Sequence, residues 1–236
     1  TVVSNSGSIS LDRSVYPVPW TANDLYNGAG VQSINTEAGT VTVWITVSDA
    51  DETGDTLTTG STTAAGTILI KHTNSTGTVS IAAAGSINAR DAGTGDGKVE
   101  LGPLNEVTIG SSDYEVSLSV TETMIYGGFI GNTAEAGGTV TIQAGDVLTA
   151  EYVDTADSAG STSTFYDSAT FDLRTGSLSV DKDVYVMGSD MVITVTDPDL
   201  NLDSTTCESY AMSLIEWDSS ADSSELLATS TASNTS

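Results

Sequence analysis

Two short segments near the start of the chain recur, in the same order, near its end. Residues 6–16 read SGSISLDRSVY and residues 175–185 read TGSLSVDKDVY, while residues 43–51 read VWITVSDAD and residues 191–199 read MVITVTDPD. In each copy of the first segment, apolar and polar residues alternate up to an Asp-Arg or Asp-Lys pair, which predicts a short strand followed by a turn. This repetition indicates two copies of one β-rich unit.

The two matches have different offsets, 169 and 148 residues, so the first copy carries 21 extra residues between its segments. We predict that residues 6–173 form one β-sandwich with loop insertions, in which one strand covers residues 114–124. Residues 174–236 are expected to begin a second sandwich that is cut short. Residues 1–5 are expected to be a linker or the end of a preceding domain, in a protein longer than this chain. Alternating segments separated by Gly, Asn and Asp predict an all-β fold class.

The charge and the scarcity of reactive side chains exclude several classes of function. The net charge of −26 comes from 32 acidic and 6 basic residues, whereas nucleic acids and anionic membranes bind basic surfaces. We therefore expect no nucleic acid partner, and no membrane span because no long apolar stretch is present. One cysteine, Cys207, and one histidine, His72, leave little material for catalysis, so we predict that the chain is not an enzyme. Cys207 is expected to be a buried or idle thiol and His72 a surface residue.

Oxygen-bearing side chains occur at every second residue just after the second repeated segment. Residues 197–203 read DPDLNLD and residues 49–55 read DADETGD. Calcium takes roughly six to eight oxygen ligands, and a tight loop can supply them from alternate residues. We predict that calcium is bound in the second copy by Asp197, Asp199, Asn201 and Asp203, and in the first by Asp49, Asp51 and Asp55. Further ligands are expected from Asp154, Asp157 and Asp167. The alternative is that these side chains cap strand ends and turns.

Other residue types have simpler structural explanations than a catalytic role. A carboxylate pair for glycoside hydrolysis could come from Glu100, Glu106, Glu115 or Glu122, but solvated strand faces explain these residues more simply. Trp44 and Trp217 lie in apolar segments and are predicted to be core, whereas Trp20 is predicted to make surface contacts. Asn74 and Asn234 begin Asn-x-Ser/Thr sequences, which are glycosylation acceptors in an exported protein.

Residues 175–185 and 195–203, in their acidic and Ser/Thr-rich setting, resemble the surface-layer (S-layer) proteins of ammonia-oxidising archaea. The resemblance is closest over residues 171–217 and looser over residues 6–55. It implies a large secreted protein of serial immunoglobulin-like domains, assembled with other copies of itself into a two-dimensional lattice at the cell surface. It also implies that metal ions stiffen the domains and their junctions. The first copy departs from the pattern, because Ala-Asp-Glu-Thr follows Asp49 where Pro-Asp-Leu-Asn follows Asp197.

The resemblance implies a structural cell-envelope function. We expect divalent cations to bridge acidic neighbours, and negatively charged pores to enrich cations such as ammonium. The alternative is an archaeal cell-surface adhesin or stalk built of similar domains. The two differ in their contacts, because lattice domains bury side-to-side surfaces whereas stalk domains touch mainly end to end.

Overall fold

The computed structural model describes residues 5–21, 38–52, 56–57, 68–84, 99–101, 104–130, 133–211, 215–219, 222–227 and 231–233. The described residues form 19 strands and one 3-10 helix, Pro198–Leu200, so the predicted all-β class is confirmed. The immunoglobulin-like topology and the domain boundaries stay predictions. None of the helical structure in these ranges is long and apolar enough to cross a membrane.

The first sheet has five antiparallel strands. Their order across the sheet is β1 (Ser8–Leu11), β3 (Val41–Ser48), β9 (Asp113–Val120), β8 (Leu104–Glu106) and β4 (Thr56–Leu57). The central pairing runs along the full lengths of β3 and β9, from Val41 opposite Val120 to Ser48 opposite Asp113.

The second sheet has six strands and is mixed. Their order is β2 (Val15–Pro17), β13 (Ser163–Asp172), β12 (Val147–Asp154), β5 (Ile68–Asn74), β6 (Gly77–Ala84) and β7 (Val99–Leu101). Strands β2 and β13 are parallel, as are β6 and β7, and the other pairs are antiparallel.

One apolar core lies between these two sheets. In β3 the side chains of Val41, Val43, Ile45 and Val47 are buried and alternate with partly exposed ones, because successive strand residues point to opposite faces. In β12 the buried residues again alternate along the strand and include Tyr152, and both strands contribute to the same cluster. The two sheets therefore pack as a sandwich.

Residues 114–124 form two strands, so the prediction of a single strand there is wrong. Strand β9 ends at Val120, and β10 (Thr123–Ile130) then pairs with β11 (Thr133–Thr141) as a separate hairpin. The Thr121 hydroxyl donates to the Thr123 carbonyl at 2.8 Å, and the Ile142 amide donates to the Glu122 carbonyl. These bonds replace the sheet ladder at the break, as polar side chains commonly do in turns.

The second copy of the repeat begins with a hairpin of β14 (Ser177–Val180) and β15 (Ile193–Thr196). It is followed by two further pairs, β16 (Ser209–Ala211) with β19 (Thr231–Ser233) and β17 (Glu216–Ser219) with β18 (Asp222–Leu227). In this hairpin Leu178 is 60% exposed, whereas Ile9, at the equivalent position of β1, is only 7% exposed. Among the described residues, the buried apolar core therefore lies in the first copy.

Candidate functional site at the junction of the repeats

Asp12 closes the turn after β1 onto β3. Its amide donates to the Trp44 carbonyl at 3.1 Å, and its Oδ1 accepts from the Trp44 amide at 2.8 Å and from the Tyr16 hydroxyl at 2.6 Å. Burial raises the pKa of Tyr16 well above its ordinary value, and the bond to Asp12 raises it further. Arg13 also lies 6.0 Å from the Tyr16 ring centre and pairs with Asp12.

Asp181 makes the same bonds in the second copy. Its amide donates to the Val192 carbonyl at 3.1 Å, and its Oδ1 accepts from the Val192 amide at 2.9 Å and from the Tyr185 hydroxyl at 2.5 Å. Lys182 lies over the Tyr185 ring and pairs with Asp181. In the same way, Arg13 lies over the Tyr16 ring and pairs with Asp12. The sequence repeat is therefore also a repeat of hydrogen-bond geometry.

The first two aspartates of each acidic loop form a second repeated network. The Asp51 amide donates to Asp49 Oδ1 at 3.0 Å, and the Asp199 amide donates to Asp197 Oδ1 at 2.9 Å. The second aspartate of each loop then accepts a hydrogen bond from a backbone amide. The donor lies two residues before Gly7 in the first copy and two residues before Gly176 in the second. Asn5 donates to Asp51 Oδ2 at 2.7 Å, and Arg174 donates to Asp199 Oδ2 at 2.6 Å. This is the turn-capping role that the sequence left open as the alternative to calcium.

The rest of the second acidic loop lies against the first copy. Arg13 donates from Nη1 to the Asn201 carbonyl at 2.7 Å and from Nη2 to Asn201 Oδ1 at 2.9 Å. The Thr42 amide donates to the Leu202 carbonyl at 2.9 Å, and the Leu202 side chain packs against the core of the first sandwich. We call Asn201–Ser204 the junction loop.

Two further bonds complete this junction. The Trp44 Nε1 donates to Asp203 Oδ1 at 3.1 Å, and the Ser204 hydroxyl donates to Asp12 Oδ2 at 2.7 Å. Burial opposes ionisation of Asp203, but hydrogen bonds from Thr205, Trp44 and Thr42 outweigh it and lower its pKa. The ionised form of Asp203 is therefore the one that the junction favours.

Trp44 is only partly buried, so its assignment to the core is wrong. It occupies the face of β3 opposite to Val43 and Ile45, where its indole can reach the junction loop. The alternation of β3 carries that signal, because a residue between two inward positions points outward. No comparable sequence pattern indicated that Arg13 would contact the junction loop.

Four carboxylates of the first copy interact electrostatically. Asp49 and Asp154 are buried, and Asp49 Oδ2 accepts from the Tyr152 hydroxyl at 2.6 Å. Asp154 Oδ2 accepts from the Gly7 amide at 2.9 Å. The pKa of Glu52 is raised, first by burial and then by the charges of Asp49, Asp154 and Asp51. Three of the predicted calcium ligands thus interact electrostatically with Glu52, which the sequence had not singled out.

The other predicted ligands are dispersed. Asp157 accepts from the Ala159 and Ser161 amides in its own turn, and Asp167 Oδ2 accepts from the Leu11 amide at 2.7 Å. Asp55 lies outside the described residues. Within the described ranges, no three His, Cys, Asp or Glu side chains are grouped as metal ligands.

The two acidic loops differ in the partners of their oxygens. In the second copy, Asp199 is paired with the Arg174 guanidinium at 2.9 Å and Asn201 with that of Arg13, so cations already occupy these oxygens. In the first copy, Asp49, Asp51 and Asp154 instead accept hydrogen bonds from backbone amides and from the Tyr152 hydroxyl. Calcium binding therefore stays a prediction for both copies.

His72 is fully buried, so its placement at the surface is wrong. Its Nε2 lies 2.8 Å from Asp146 Oδ2, and Nδ1 has no hydrogen-bond partner among the described residues. It lies on an inward position of β5 between two apolar strands, which explains its burial. Cys207 is exposed, so it is not a buried thiol.

The predicted glycosylation site, Asn74, is the last residue of β5 and precedes the turn to β6. Asn74 Oδ1 accepts from the Thr76 amide at 2.8 Å and from the Thr76 hydroxyl at 2.6 Å. The side chains of Asn234 and Trp217 lie outside the described residues, whereas Trp20 is partly buried and bridges to Gly39.

No protein-family model and no curated protein matches this chain.

Proposed function

We propose that this chain is a structural part of an extracellular S-layer, in which serial β-sandwich domains build a two-dimensional lattice at the cell surface. The observation that supports it best is the junction between the repeats. Hydrogen bonds from Arg13, Thr42, Trp44 and Ser204 join the two copies there. A chain whose polar side chains bind its own neighbouring repeat is suited to hold domains in a fixed order.

The negative charge supports an extracellular coat stabilised by divalent cations. A net charge of −26 opposes close packing of copies, and ions that bridge carboxylates remove part of that repulsion. We propose calcium as the ion, and we take Asp49, Asp51 and Asp154 as candidate ligands because their charges act together on Glu52. In a porous layer the remaining carboxylates enrich small cations such as ammonium, in a manner that salt screens.

Electron microscopy of the native protein tests the lattice directly. We expect negative-stain images to show ordered sheets in calcium and dispersed particles after chelation. Sheets that persist unchanged in excess chelator would exclude ion bridging, and an absence of sheets under all conditions would exclude the lattice.

Thermal melting tests the calcium site separately. A ligand that binds only the folded state raises its stability by about 2.7 kcal/mol at one hundred times its dissociation constant. We expect calcium to raise the melting temperature of the wild type but not of Asp154→Asn, with Asp167→Asn as the matched control that keeps the response. An equal response of all three proteins, or of the wild type to sodium alone, would count against this site.

The second candidate is the stalk of a surface adhesin. The junction is equally compatible with it, because the contact joins successive repeats along one chain. Isolated rods in the same images, with no sheets at any calcium concentration, would identify the stalk.

A further inference from the structure

The turn Asp181–Lys182 in the second copy is equivalent to the turn Asp12–Arg13 in the first. Each aspartate accepts the amide of the facing strand and the hydroxyl of the tyrosine four residues on. Each basic residue pairs with its aspartate at 3.4 Å and lies over the ring of that tyrosine. The two turns therefore present the same groups in the same arrangement.

The turn of the first copy is covered and that of the second is open. The side chains of Arg13 and Asp12 are 15% and 16% exposed, because the junction loop lies on them. The side chains of Lys182 and Asp181 are 54% and 30% exposed. The bonds within each turn are the same, and the junction loop is a contact that the first turn has in addition.

The apolar surroundings of the two turns also correspond. In the first copy, the 3-10 helix before the junction loop lies against β2, and Leu202 packs on the core nearby. In the second copy, the segment equivalent to β2 contains Val184 and Val186, both about four-fifths exposed. Val192, which takes the place of Trp44, is also exposed. An apolar strip thus adjoins the open turn.

We propose that the Asp181–Lys182 turn and the strip of Val184, Val186 and Val192 form a docking site for the junction loop of another such repeat. The occupant is a segment of the type Asp-Pro-Asp-Leu-Asn-Leu-Asp-Ser, presented in the conformation that residues 197–204 adopt on the first copy. Its asparagine oxygens accept from Lys182 and its serine hydroxyl donates to Asp181. Its Pro-Asp-Leu turn lies against the segment of Val184 and Val186, as the 3-10 helix lies against β2 in the first copy. The residue at the place of Trp44 is a valine, so the bond from the indole to the loop aspartate is absent.

The inference rests on the equivalence of the two turns and does not require the lattice. A protein that binds the loop but forms no sheets would support this site and exclude the proposed function. Sheets that form without any binding of the loop would support the proposed function and exclude this site.

A synthetic peptide of residues 197–206, titrated into the full chain and followed by NMR, tests the site. We expect saturable shifts of the Lys182, Val184 and Val192 amides at up to millimolar peptide, since a short flexible peptide loses entropy when it binds. Lys182→Glu should weaken binding roughly tenfold or more, because it replaces a donor to two oxygens with a like charge. Arg13→Glu, which opens the other turn, should leave the shifts around Lys182 unchanged.

Three outcomes would overturn the proposal. The first is no saturable shift at these residues, and the second is equal binding of a scrambled peptide of the same composition. The third is binding that Lys182→Glu leaves unchanged.

Discussion

Arg13 contacts Asn201 through two hydrogen bonds, one to its backbone carbonyl and one to its side-chain oxygen, across 188 residues of sequence. A guanidinium group can make both bonds at once because its donors lie in one plane. The contact fixes the junction loop on the first sandwich at its first residue. In the second copy Lys182 stands at the same position, and its ammonium group lacks that planar geometry.

The junction should open locally when Arg13 is replaced. Arg13→Ala removes two bonds from a charged donor, each worth about 1.5 to 3 kcal/mol when it is well shielded and less when it is exposed. We expect hydrogen exchange of the Thr42 amide, which donates to the Leu202 carbonyl, to accelerate roughly tenfold, a change of about 1.4 kcal/mol. Lys182→Ala is the matched control and should leave this amide unchanged. Equal acceleration in both variants would contradict the role of Arg13.

Gly7 and Gly176 are equivalent glycines that should tolerate alanine differently. A methyl group at Gly7 would lie 2.6 Å from Tyr152 Cε1 and 3.0 Å from Asp49 Oδ2, both in the buried interior. At Gly176 it would lie 2.8 Å from Asp197 Oδ2, on a side chain that is only partly buried. We expect Gly7→Ala to cost about 1 to 3 kcal/mol in urea unfolding and Gly176→Ala clearly less. A larger loss at Gly176 would contradict this order.

His72 and Asp146 should be energetically coupled. Asp146 Oδ2 accepts from the Gln143 amide at 2.9 Å as well as facing the buried His72 Nε2, so Asp146→Ala leaves the buried ring nitrogen without this partner. An unsatisfied buried polar group costs about 1 to 3 kcal/mol. With His72→Leu as the second variant, we expect the double variant to lose less than the two single losses together. Additive losses in chemical unfolding would show that the pair is not coupled.

Stability should depend on pH through Glu52. Because the pKa of Glu52 is raised in the folded protein, the folded state keeps a proton that the unfolded chain releases. Its contribution to stability is therefore complete below its ordinary value of 4.5 and is lost as pH rises through the raised pKa. Glu52→Gln stays neutral, so we expect it to gain stability over the wild type as pH rises towards neutrality. A difference that is constant with pH would contradict this.

Asp181 supplies a control of the opposite sign for that titration. The hydrogen bond from Tyr185, followed by that from the Val192 amide, lowers the pKa of Asp181. The contribution of ionised Asp181 to stability is therefore present above the ordinary pKa of an aspartate and is lost as pH falls through the lowered pKa. We expect Asp181→Asn to be less stable than the wild type at neutral pH and to approach it in acid. As pH rises from acid to neutral, we therefore expect Glu52→Gln to become more stable than the wild type and Asp181→Asn to become less stable.

The repeat and most strands could be predicted from local pattern alone. The alternation of Val41, Val43, Ile45 and Val47 already predicts a strand with one buried face, and Asp12 before a basic residue predicts the turn that ends β1. Asp51 and Asp199 could be recognised as candidates for turn capping, because a carboxylate reaches backbone amides close to it in the chain or at a strand end. These features depend on a residue and its near neighbours, and that information is present in the sequence.

Tertiary structure alone decided which distant residues meet. The prediction of one strand over residues 114–124 was wrong because the turn bonds of Thr121 override the apolar pattern of that segment. The prediction that His72 lies at the surface was wrong because its burial depends on the strands on either side of β5. Arg13 contacts Asn201, and the charge of Asp154 reaches Glu52, only because packing of two sheets and two repeats brings those segments together. The free energy of such contacts comes from burial and charge between segments far apart in the chain. The local alternation of apolar and polar residues therefore does not predict them.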